Sequence, residues 1–172
     1  MNKVFAIVLA VAMMLMSTVP VLAAEVTTRD LIIDGGFVDP ITLDRGTDIG
    51  GISVDLTSGV VSVTYTIDDP NWEILETHVY ISNTQPTKHS PGKFNASNGE
   101  GVPVGSGTVY VAAHAELRMI DPISGEPILD EVTGDQITET AWAQNEDFTN
   151  DTLFRSTGKG SYWATYFTIT AP

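Results

Sequence analysis

Apolar and polar side chains alternate in Ile52-Ser53-Val54-Asp55-Leu56 and again in Val61-Ser62-Val63-Thr64-Tyr65-Thr66-Ile67, with Thr57-Ser58-Gly59 between them. Period two is the spacing of a strand with one buried face, and a short link containing glycine marks a hairpin. The same grammar recurs along the chain. Leu31-Ile32-Ile33 is closed by Asp34-Gly35-Gly36, and segments 72–82, 108–120, 136–143 and 162–170 read as further strands. Asp68-Asp69-Pro70-Asn71 and Asp121-Pro122 supply turns between them. Residues 126–135 read as an irregular acidic connection, and no internal repeat is evident. Beyond residue 24 no segment has the periodicity and caps of an amphipathic helix. The pattern predicts an all-β fold, an antiparallel two-sheet β-sandwich, with a closed β-barrel as the alternative. The connections over 83–107 and 144–160 are long for a compact domain and are where binding is expected.

The first residues follow other rules. Lys3 precedes an uncharged apolar run over 4–16, and Pro20 and Val21-Leu22-Ala23 follow. A positive start, an apolar middle and small residues at the end make a secretory signal, so residues 1–23 are expected to be removed and 24–172 to form one domain. The run is shorter than the roughly 20 residues a membrane-crossing helix needs, and no stable membrane span is expected after cleavage. The chain carries 8 basic and 22 acidic residues, so without Lys3 the balance is 7 against 22, or −15. That charge repels nucleic acid phosphates and favours solubility and divalent cations. With no cysteine, disulfides and thiolate chemistry are absent and the core must supply stability by itself.

Strand parity nominates a site. On segment 72–82, Leu75, Thr77, Val79 and Ile81 form the core face, opposite Ile74, Glu76, His78 and Tyr80. On 108–118, Val109, Val111, Ala113, Ala115 and Leu117 are the core face, opposite Tyr110, Ala112, His114, Glu116 and Arg118. The candidate metal ligands are His78 and His114 with a carboxylate from Glu76 or Glu139, a set suited to zinc. The competing reading is a His–Glu pairing that only pins strand register. Calcium is a second candidate, through Asp68-Asp69 or Glu146-Asp147 with Asp151. His89 lies in the proline-rich loop and reads as exposed.

No nucleophile elbow, phosphate loop or HExxH spacing occurs, so no catalytic residue is nominated. Asn95 and Asn150 begin N-glycosylation patterns. Trp72, Trp142, Trp163, Tyr162 and Tyr166 could stack on sugar rings if exposed, although tryptophans in so small a domain usually belong to the core.

Five motifs occur in order: Trp72…Glu76-Thr77-His78, Pro91-Gly92-Lys93-Phe94, Ala112-Ala113-His114-Ala115, Glu139-Thr140-Ala141-Trp142 and Trp163-Ala164-Thr165-Tyr166-Phe167. Over roughly residues 30–169 the chain resembles a group of secreted or surface proteins of bacteria and archaea that share this series. The resemblance implies an extracellular domain and no particular reaction. The chain departs from the group at Lys88-His89-Ser90 and in a longer connection between Arg118 and Glu139, so specificity in those loops would be its own. The expected function is a non-enzymatic extracellular or cell-surface domain binding a surface or matrix ligand, a cation or a glycan. Alternatives are a metal-dependent hydrolase using His78 and His114, and a filament subunit assembled by strand exchange through residues 25–33.

Overall fold

The computed structural model describes residues 25–33, 46–87, 90–145, 151–154 and 164–172. These contain the strands β1 (Glu25–Ile33), β2 (Thr47–Thr57), β3 (Val60–Ile67), β4 (Trp72–Ser82), β5 (Val102–Pro103), β6 (Gly107–Met119), β7 (Thr138–Gln144), β8 (Asp151–Leu153) and β9 (Thr165–Ala171). The leader and its cleavage site lie outside the described residues, as do His89, Asn150, Glu146, Asp147, Tyr162 and Trp163. No described helix is long and apolar enough to cross a membrane.

Local chemistry explains the strands. In β2 and β3, Ile52, Val54, Leu56, Val61, Val63 and Tyr65 are buried, while Asp55 and Thr64 between them are exposed. The two strands pair to Thr57↔Val60, leaving Ser58 at φ 53 and Gly59 at φ 76 as the turn. Two left-handed residues match the twist of the flanking strands.

Pairing is antiparallel throughout and runs β5-β3-β2-β1-β7-β6-β9-β8, with β4 on the other edge of β6. The sheet is not closed into a barrel. Nor are there two separate sheets: β1 and β7 carry the hydrogen bonding without interruption from the β2–β3 side to the β4–β6 side. The sheet folds over so that Val54, Val61 and Val63 share one core with Val79, Ile81, Val111 and Leu117. Tyr65 spans that core, its hydroxyl donating to the His114 carbonyl at 3.0 Å.

No ladder joins β3 to β4. Residues 95–99, read from the sequence as loop, lace the two edges instead. Val79 and Ala96 exchange both backbone bonds, at 2.8 and 3.0 Å, and the Asn95 amide bonds to both Ile81 N and O. Gly99 N donates to Val63 O, and Tyr65 N to Asn98 Oδ1. Edge groups that would otherwise be unpaired are thereby satisfied.

Three details depart from simple parity. A bulge between Ile74 and Glu76 places Leu75 on the exposed surface and turns Trp72 and Ile74 toward the core. An extra residue in one strand shifts every side chain beyond it to the other face. Secondly, the outer face of β6 is not bare: Ala112, Trp142, Phe154, Ala164 and Tyr166 form a second cluster over it, so Val111, Ala112, Ala113, His114 and Ala115 are all buried.

Thirdly, the connection from β6 to β7 is regular and repeats. Asp121-Pro122-Ile123-Ser124-Gly125-Glu126-Pro127-Ile128 is followed nine positions on by Asp130-Glu131-Val132-Thr133-Gly134-Asp135-Gln136-Ile137. Each unit is a hairpin. The aspartate carboxylate accepts two backbone N–H bonds, from Ile123 and Ser124 in one and from Val132 and Thr133 in the other. The glycine takes positive φ, 73° and 77°. Bridges Ile120↔Pro127 and Leu129↔Gln136 close the two arms. At their base Ile128 N donates to Met119 O, Ile137 N to Ile128 O and Met119 N to Ile137 O, a ring of three backbone bonds. Both hairpins and the β6–β7 ladder radiate from that junction.

Candidate metal centre

The β4–β6 ladder sets His78 opposite His114 and Glu76 opposite Glu116. All four side chains therefore lie on the outer face, in two adjacent rows. The imidazole rings are 5.6 Å apart. His78 Nε2 stands 3.7 Å from Glu76 Oε2 and 3.7 Å from Glu116 Oε1, and the three ligand atoms of Glu76, His78 and Glu116 lie within 4.8 Å of one another. Donors bound at about 2.1 Å around a tetrahedral ion are about 3.4 Å apart, so small rotations of the two exposed glutamates bring the set to coordination distance.

Electrostatics favour a cation between them. Carboxylates placed directly opposite on one sheet face repel. The next row offers no relief, because Arg118 is engaged by Glu73 at 2.7 Å. His114 offers none either. Burial, and then repulsion from His78, push its imidazole down to about 4. Its ring meets Trp142 edge to face at 4.9 Å, and its buried Nδ1 has no hydrogen-bond partner among the described residues. A metal ion beside His78 would balance the two glutamates.

The expected set is thus partly assembled. His78 and Glu76 meet, and His114 adjoins them as a neutral wall. Glu139 does not join: it pairs with Leu117, which puts it on the other face, in a cleft with Trp72, Asn71 and Met119. Glu116 takes the place the sequence reading offered to Glu139. Its parity with His114 was the signal for it.

Several of the other candidates are engaged elsewhere. Asp69 Oδ1 accepts from Asn71 N and Nδ2, closing its own turn. Asp151 is paired with Arg29 at 3.0 Å, and that guanidinium also lies 4.4 Å from the Phe167 ring centre. The amide of Asn95, which begins one of the N-glycosylation patterns, bonds to the Ile81 backbone. Trp142 and Tyr166 are buried and present no ring for a sugar, and Trp72 packs partly buried against the core. The segment proposed for strand exchange is held between β2 and β7 of its own chain. No protein-family model, curated protein or solved structure matches this chain.

Proposed function

We propose that this chain is an exported, non-enzymatic β-domain of the cell surface or extracellular space that captures a divalent transition-metal ion on its sheet face. The observation that carries the reading is the opposed pair Glu76–Glu116 with His78 Nε2 3.7 Å from each. Imidazole with carboxylates suits zinc better than calcium, which takes oxygen alone. Support for export comes from the order of Lys3, the apolar run over 4–16 and the small residues at 21–24. The acidic surface favours cations over nucleic acid.

The test is zinc titration by calorimetry on metal-stripped protein. One equivalent is expected to bind, more weakly in Glu76→Gln and Glu116→Gln and not measurably in His78→Ala, with Glu139→Gln unchanged. Binding that survives His78→Ala would sink the assignment. One observation favours a metal-dependent hydrolase as the second reading: three protein ligands leave coordination positions for water, as catalytic zinc sites do. Zinc-dependent turnover of ester or phosphoester substrates, abolished in His78→Ala, would decide for it.

A further inference from the structure

The two hairpins between β6 and β7 share more than a backbone. The third residue of each is a β-branched aliphatic, Ile123 and Val132, and these are 95% and 93% exposed. The turn does not require them. Its geometry is held by the aspartate carboxylate on two N–H groups and by the glycine at positive φ, and the third side chain is outside that scheme. A single exposed aliphatic needs no explanation. Here the same exposure recurs at the same position of two copies of one motif, on two arms fixed to one junction.

The surroundings specify what the arms can meet. Between residues 119 and 137 there are five acidic side chains, Asp121, Glu126, Asp130, Glu131 and Asp135, and no Lys, Arg or His. Their sign opposes docking on anionic lipid and on a second copy of this acidic chain. We propose that the forked β6–β7 connection is a docking site for a cationic protein surface, with Ile123 and Val132 as the two apolar contacts and the surrounding carboxylates pairing with its Lys or Arg side chains. This surface is independent of the metal centre. Aliphatic anchors ringed by charge make contacts in which the apolar tips set lifetime and the carboxylates set encounter rate.

The probe is a synthetic amphipathic peptide of alternating lysine and leucine, immobilised and exposed to the purified full chain. Binding is expected to weaken about tenfold or more in each of Ile123→Asn and Val132→Asn, and further in the double variant. It is also expected to fall as salt rises. Both side chains are almost wholly exposed, so the variants are expected to melt where the parent does. His78→Ala is expected to bind the peptide normally, which separates this site from the metal centre. Unchanged binding by the double variant would overturn the proposal, as would equal binding to polylysine lacking any apolar residue. Capture by zwitterionic vesicles lost in the double variant would reassign the arms to a membrane. Self-association lost in that variant would reassign them to a second copy, and either result also overturns it.

Discussion

Replacing Tyr65 by Phe removes one oxygen from the middle of the core, and its consequence can be worked out at two pH values. The hydroxyl donates to the His114 carbonyl at 3.0 Å and lies 3.4 Å from that of His78, so it ties β3 to β4 and β6 across a core that no β3–β4 ladder closes. A buried hydrogen bond of this kind contributes about 1 kcal/mol net, and Tyr65→Phe should cost about that much near neutrality. At high pH the sign changes. Burial pushes the phenol far above its ordinary value of 10.0. A raised folded value means that the tyrosine's contribution is complete below about pH 10 and is lost as the unfolded chain ionises above it, by about 1.4 kcal/mol per pH unit. Phenylalanine has no proton to lose. The stability curves of parent and variant should therefore cross near about pH 11, where the lost ionisation term equals the lost hydrogen bond. The other tyrosines are common to both proteins and cancel in the difference. The assay is urea unfolding followed by tryptophan fluorescence at pH steps from about 7 to about 11.5. Parallel curves across that range would show that the hydroxyl is solvated and would refute the placement of Tyr65 in the core.

Three further outcomes are expected. In metal-free protein His114 is held neutral, its value depressed from 6.5 to about 4. Acidification from about pH 6.5 to about pH 4 should therefore remove about 3 kcal/mol that His114→Gln does not lose; the pH series of denaturation midpoints reports it. Leu117→Ala should cost about 3 kcal/mol, whereas Leu75→Ser, on the exposed bulge, should cost under about 1 kcal/mol; equal losses in thermal unfolding would contradict the register of β4. Asn95→Ala, which removes both bonds to Ile81, should cost about 2 kcal/mol and speed hydrogen exchange at the Ile81 amide, an effect absent if that edge were already solvated.

Strand existence was legible in the residues because it is a local property. Alternation over Ile52 to Leu56 and Val61 to Ile67, with Ser58-Gly59 between, specifies a hairpin without reference to anything distant. The core face of β6 was legible for the same reason: Val109, Val111, Ala113, Ala115 and Leu117 are all fully buried. Half of the candidate site followed from that parity, since it put Glu76 and His78 on one face of β4 and His114 on the matching face of β6. The Asp121 and Asp130 repeat was also written in the residues, although its two halves share mainly Asp, Gly and Ile and are masked by changes between them.

What parity cannot contain is the identity of the neighbour. Leu75 is outside because β6 holds β4 in a register with one residue to spare. Glu116 replaces Glu139 because β7 pairs Glu139 with a core leucine. His114 is buried because Trp142 from β7 covers an outer face that alternation alone would leave wet. In the same way, 95–99 becomes the lace between β3 and β4 only once folding brings those edges together. By itself the sequence determined where most of the strands lie and how their side chains alternate, since both are set by steric and turn chemistry within a few residues. Only the tertiary structure decided which faces are covered and which charges stand opposed, because those depend on contacts between residues far apart in the chain.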